Sequence, residues 1–123
     1  MLEANFQRKV LAKLRTIPQS WWAKLNDRTT IGLPDIIGFV GIYGFVLELK
    51  TTSRLSEIQY VTLNKIDRIG VQNFVVTPEN FDEIFNFIRG YLENGADRKP
   101  ARFPLWVLPP SQNHIRRPKK GRR

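Results

Sequence analysis

Apolar residues recur along this chain at two spacings, and the changes from one to the other divide it into elements. Leu2, Phe6, Val10 and Leu14 stand four apart with Leu11 beside them, the stripe of an amphipathic helix. That helix is predicted over roughly Leu2 to Arg15, with Pro18 ending it. Ser20-Trp21-Trp22-Ala23-Lys24-Leu25 is short and aromatic and predicts a strand, and Asn26 to Leu33 has the polar and glycine content of a loop. Two apolar runs follow, Asp35 to Val40 and Phe45 to Leu49, separated by Gly41-Ile42-Tyr43-Gly44. This predicts a hairpin with permissive glycines at the bend. Both runs are apolar on both alternating sets of positions, so both faces of the hairpin are expected to be covered.

Beyond the hairpin, Ser56-Glu57-Ile58-Gln59 matches a capping box, and Ile58, Val61, Thr62, Ile66 and Ile69 continue at helical spacing up to Gly70. A helix is predicted from about Glu57 to Ile69. Gln72 to Val76 reads as a strand, and Thr77-Pro78 as a helix cap with proline in the first turn. Phe81, Ile84, Phe85, Ile88, Tyr91 and Leu92 then define a single stripe ending near Gly95. The order helix, strand, strand, strand, helix, strand, helix predicts an α/β domain, a mixed sheet flanked by helices.

Length permits one hydrophobic core, since domains usually run to about 100 to 150 residues. We divide the 123 residues into a body, 1–95, and an extension, 96–123. The extension differs in composition: it holds 5 of the 8 prolines, which disfavours long helices. Its Phe103-Pro104-Leu105-Trp106-Val107-Leu108 stretch is too apolar for a free linker and is expected to dock on the body or on a second subunit. Charge is segregated in the same way. Of the formal +9, the body holds 11 Lys/Arg against 10 Asp/Glu, whereas the extension holds 9 Lys/Arg against Asp97 alone. Such a basic segment is either an electrostatic footprint for nucleic acid or a solubilising terminus.

The absence of cysteine excludes disulfides, thiolate metal sites and cysteine nucleophiles, so any metal is held by oxygen or by the lone His114. That points to a hard cation. His114 has no partner at ligand spacing and is read as non-catalytic. No apolar run reaches the about 20 residues needed to span a bilayer, and the location expected is cytoplasmic, in a bacterial or phage-infected cell.

The chemistry concentrates on the hairpin. With the bend centred between Ile42 and Tyr43, Asp35 falls opposite Lys50 and Ile37 opposite Glu48, so Asp35, Glu48 and Lys50 share a face. Two carboxylates on an otherwise apolar sheet repel each other and are costly to desolvate; Lys50 compensates in part, and a bound Mg2+ or Mn2+ would complete the compensation. The alternative is a plain salt bridge, and the apolar neighbours Ile36, Ile37, Val46, Leu47 and Leu49 argue against a solvated one.

Gly32-Leu33-Pro34-Asp35 followed by Glu48-Leu49-Lys50 resembles the PD-(D/E)XK nuclease signature, within it most nearly the VRR-NUC group, whose members are similar to Holliday-junction resolvases. That group also places a Glu, with a Gln four residues later, on its first helix, and a Gln on the helix after the motif; Glu3, Gln7 and Gln59 stand there in this chain. The match runs from about Glu3 to Val76. It implies a restriction-endonuclease-like fold and a Mg2+-dependent endodeoxyribonuclease, with Asp35, Glu48, Lys50 and Glu3 catalytic. A metal would be held by Asp35, Glu48, the Leu49 carbonyl and Glu3, with Gln7 and Gln59 in support. It also implies a homodimer acting on Holliday-junction or branched DNA. The residues alone leave other readings open: Glu3 also suits any helix N-terminus, and Gln59 also suits the cap of Ser56. Duplex nicking, sequence-specific cutting or non-catalytic DNA binding would use the same framework. Thr51 and Arg54, just after the motif, and the basic residues Arg116, Arg117, Lys119, Lys120, Arg122 and Arg123 are the expected phosphate contacts. Trp21 and Trp22 are candidates for stacking on bases, although strand alternation sends at least one of them to the core.

Overall fold

Helix α1 (Glu3–Leu14) forms where the four-residue spacing predicts it and buries Phe6, Val10, Leu11 and Leu14. In the computed structural model, which describes residues 2–27 and 29–113, the chain is a mixed α/β fold. Strands β1 (Ser20–Lys24), β2 (Ile36–Val40), β3 (Tyr43–Leu49) and β4 (Gln72–Val76) form one sheet in that order. The first three are antiparallel neighbours, while β4 runs parallel to β3. A parallel neighbour needs a crossover, which helix α2 (Glu57–Arg68) supplies. Its capping box forms as the sequence predicts, and Gly70 follows with φ +91°.

Alternation along the strands sorts two cores. Trp22, Ile36, Val40, Phe45, Leu47, Leu49, Phe74 and Val76 pack on α1 and on helix α3 (Phe81–Arg89). Val46 and Val75 face the other way and pack with Leu55, Leu63 of α2 and Val107. Trp22 reaches the first core only because its cross-strand partner is Gly38. A Cβ at Gly38 would lie 2.1 Å from the Trp22 ring.

The structure corrects four expectations. The hairpin bend is two residues, Gly41-Ile42, with Gly41 at φ +59°; Tyr43 and Gly44 already belong to β3. Ile36 therefore pairs with Leu47, and continuing that register by one residue sets Asp35 opposite Glu48, not Lys50. The slip is of two residues, which preserves the face of every side chain. Thr77-Pro78 does not open the last helix. Thr77 and Asn80 exchange hydrogen bonds, the Asn80 Oδ1 accepting from the Thr77 N–H at 2.7 Å, and α3 starts after them. The predicted final helix breaks at Gly90 into α3 and a short α4 (Tyr91–Asn94). Lastly, the sheet is covered unevenly. The α2-side surface of β1 and β2 leaves Trp21 59% and Phe39 40% exposed.

Part of the extension docks on the body. The Leu55 N–H donates to the Val107 carbonyl at 2.7 Å and the Val75 N–H to the Arg102 carbonyl at 2.9 Å, which occupies part of the free edge of β4. Arg102 supplies the polar anchor, donating to Asn73 Oδ1, the Leu63 carbonyl and Asn64 Oδ1 and pairing with Asp67 at 3.3 Å. A 3-10 turn (Leu105–Val107) and helix α5 (Pro110–Asn113) follow, with the Ser111 hydroxyl hydrogen-bonded to Glu57 of α2. Among the described residues no helix is long and apolar enough to cross a membrane.

Candidate active site

Asp35 sits immediately before β2, and Glu48 and Lys50 lie at and just beyond the end of β3. The chain enters β2 from the 26–34 loop, held in part by the Asp27 carboxylate, which accepts from the Thr29 N–H and from the Thr29 and Thr30 hydroxyls. Asp35 is then fixed on both sides. Its N–H donates to the Leu47 carbonyl at 3.0 Å, and its carbonyl accepts from the Leu25 N–H at 2.8 Å. Its carboxylate Oδ2 accepts from the Leu49 N–H at 2.8 Å. The first half of the motif is thus bonded directly to the backbone of the second.

Glu48 is 3% exposed and Lys50 8%. Alternation turns both toward α2, because Leu47 and Leu49 take the opposite core. The Lys50 Nζ lies 3.6 Å from Glu48 Oε2, and the Gln59 Nε2 donates to the same oxygen at 3.0 Å. Gln59 also keeps its capping role, its Oε1 accepting from the Ser56 N–H at 2.9 Å. The two readings of Gln59 are therefore one arrangement: the cap holds the amide oxygen, and the nitrogen faces Glu48.

Burial pushes the Glu48 carboxyl up to about 8, and the neighbouring Asp35 adds to the effect against the pull of Lys50. Asp35 is raised as well, chiefly by burial, with the Leu49 N–H and Lys50 opposing. One ammonium between two buried carboxylates leaves them under-compensated. Glu3, exposed in the first turn of α1, is near enough for its charge to raise Glu48 slightly further. Gln7 follows one turn later and is half-buried.

Comparison with protein-family models, with curated proteins and with solved structures finds no match for this chain. The arrangement has to be interpreted from its own geometry.

Among the described residues no three His, Asp or Glu side chains are grouped to hold a metal ion unaided. Two carboxylates do converge, which is the usual protein share of a Mg2+ site whose other ligands are water and substrate phosphate. The donor set fits a hard divalent cation at Asp35 and Glu48; Glu3 stands at the margin. Thr51, half-buried, and Arg54, exposed, lie in the segment between β3 and α2. His114 and the six basic residues from Arg116 to Arg123 lie outside the described residues. Trp22 is core, whereas Trp21 is on the surface. Sequence reasoning missed the Arg102, Asn73 and Asp67 cluster; the one signal available was a lone arginine beside an apolar stretch that had to dock.

Proposed function

We propose that this chain is a divalent-metal-dependent endonuclease of the PD-(D/E)XK type, built on a restriction-endonuclease-like fold and hydrolysing DNA phosphodiester bonds. The observation that carries the reading is the meeting of Asp35, Glu48, Lys50 and Gln59 at one end of the β2–β3 pair, with Glu48 held in a site that disfavours its charge. A purely structural ion pair has no need of a second buried carboxylate. A site that receives a cation does.

In this reading Asp35 and Glu48 hold Mg2+, or Mn2+ in its place, with the Leu49 carbonyl and Glu3 as the further ligands the family resemblance suggests. When bound, the ion would polarise the scissile phosphate and acidify water. Lys50 places its ammonium where negative charge develops on the phosphate, or orients the attacking water. Gln59 steadies Glu48 through a donor whose direction the Ser56 cap sets. Thr51, Arg54 and the basic terminal residues contact the DNA backbone. Branched or junction DNA is the first substrate to test, and a homodimer belongs to the same proposal.

The experiment is strand scission on four-way junction, flap and linear duplex DNA, with and without Mg2+. Cleavage that requires the ion and disappears in Glu48→Gln, while DNA binding survives, is the expected outcome. Cleavage unchanged in both Glu48→Gln and Lys50→Ala removes the assigned site. Binding without scission under any ionic condition leaves the non-catalytic DNA-binding reading.

A further inference from the structure

On the α2 side of the sheet, α2 reaches Ile37 of β2, but among the described residues no helix covers Trp21 and Phe39. Trp21 and Phe39 are cross-strand partners there, so their side chains stand about 5 Å apart at Cβ on one face. Phe39 rests on Gly44, where even an added Cβ would come within 3.3 Å of its ring, leaving the outer face of the ring to solvent. From Phe39, Ile37 and Asp35 follow on the same face of the strand. A shallow groove of about 280 Å3 lined by apolar side chains, including Pro34, Ile37, Phe39 and Ile69, runs alongside. The exposed aromatic pair is therefore continuous with the candidate active site. Phe39 lies four positions along the strand from Asp35, or about 13 Å. That is roughly the length of four stacked nucleotides, fewer in a strand that is drawn out.

Charge decides between occupants. The α1 cations Arg8, Lys9 and Lys13 belong to the other face of the sheet, since α1 packs there; the charges that border this surface are Arg15 and Lys24. Arg15 donates to the Trp22 carbonyl at 3.1 Å, which puts a guanidinium on the outer edge of β1, and Lys24, which starts on the α1 side beside Ile36, ends the strand near enough to Asp35 to act on its carboxyl, with no Asp or Glu in residues 4–26 to offset them. A second copy of this chain docked face to face would bring this cationic edge against itself. A polyanion with exposed bases meets both features at once, phosphates on the cations and bases on the rings.

We propose that Trp21 and Phe39, flanked by Arg15 and Lys24, form a stacking platform for unpaired nucleotides of a DNA strand that continues into the Asp35–Glu48 site. The proposal rests on the nuclease reading and narrows its substrate: DNA carrying a single-stranded stretch or open branch beside the cut. Stacking on an apolar face reads no base edge, so the preference is for unpaired structure and not for sequence.

The test is equilibrium binding by the full chain in EDTA, so that its outcome does not depend on cleavage. The probes are a fluorescent 20-nucleotide single strand, the matching blunt duplex and a four-way junction, with Trp21→Ala, Trp21→Phe and Phe39→Ala compared with wild type. Melting curves verify that each variant is folded; the Trp21 variants change a surface side chain and keep the test decisive if Phe39→Ala unfolds. Trp21→Ala is expected to weaken the single strand roughly 10- to 100-fold and the duplex by less than about threefold, with Trp21→Phe restoring most of the loss. Equal losses on single strand and duplex, or no loss on either, overturn the platform. So does a Trp21→Ala variant whose only change is in sedimentation, which would make a second copy the occupant. A platform failure with intact Mg2+-dependent scission leaves the nuclease reading standing. The reverse result separates the two the other way.

Discussion

Replacing Glu48 by glutamine should stabilise this protein in the absence of divalent metal, although it removes an ion pair with Lys50. The carboxyl is 3% exposed and pushed up from an ordinary 4.5 to about 8 by burial and by Asp35. A raised folded-state value means that the native state holds the proton more tightly than the unfolded chain does. The resulting stability is complete below about pH 4.5 and is lost as pH rises toward 8. At 1.36 kcal/mol for each pH unit, the loss is about 3 kcal/mol at pH 7 and about 5 kcal/mol above pH 9. Glutamine keeps the shape and an acceptor for Gln59 Nε2 but cannot ionise. The value of about 8 already includes the pull of Lys50, so the net expected for Glu48→Gln at pH 7 is about 3 kcal/mol. In a domain of this size that is a rise in Tm of roughly 9 to 15 °C. The assay is thermal or urea unfolding of both proteins in EDTA from pH 5 to 9. The difference between them should grow with pH, and 10 mM Mg2+ should raise the Tm of the wild type and leave the variant unmoved. A variant less stable than wild type at pH 8, or a difference flat across the range, would refute the argument that Glu48 is held in a site short of positive charge.

Three further outcomes follow from the packing and charge. Gly38→Ala should cost about 3 kcal/mol or more in urea unfolding, because the new methyl would meet the buried Trp22 ring at 2.1 Å. Arg102→Ala should cost about 2 kcal/mol by the same measurement and release residues 100–113 to limited proteolysis, since Asn73 Oδ1 and Asp67 lose their cation; unchanged protease resistance would show that Val107 anchors the segment alone. Deleting residues 116–123 should lower the slope of log K against log salt for DNA binding by up to about 0.9 for each phosphate-bound cation removed, and an unchanged slope takes that segment out of the interface.

Much of the architecture can be read from residue order because it depends on local rules. The spacing of Leu2, Phe6, Val10 and Leu14 and the capping box at Ser56 specify helices wherever the chain goes, and β4 lies over Gln72–Val76 as its composition predicts. The last helix was less legible: Thr77-Pro78 looks like a cap, but the Thr77 and Asn80 exchange absorbs the groups a cap would use. The hairpin register differs by two residues from the one the sequence predicts, because glycines at 41 and 44 allow either bend. The site tolerates that difference, since a shift of two leaves Asp35 and Glu48 on one face.

The sequence by itself determined which residue types were available, in what order, and with what local period, because periodicity and capping involve neighbours a few positions apart. It also carried the motif, whose two halves need only a hairpin to meet. Only the tertiary structure decided how deeply Glu48 is buried, that the amide of Gln59 turns its nitrogen to that carboxylate, and that Arg102 reaches from the extension to Asn73 and Asp67. It alone left Trp21 and Phe39, among the described residues, without a covering helix. These outcomes depend on which surfaces compete for the two faces of one sheet, and α2 covers β3, β4 and Ile37 of β2 but does not extend to Trp21 and Phe39.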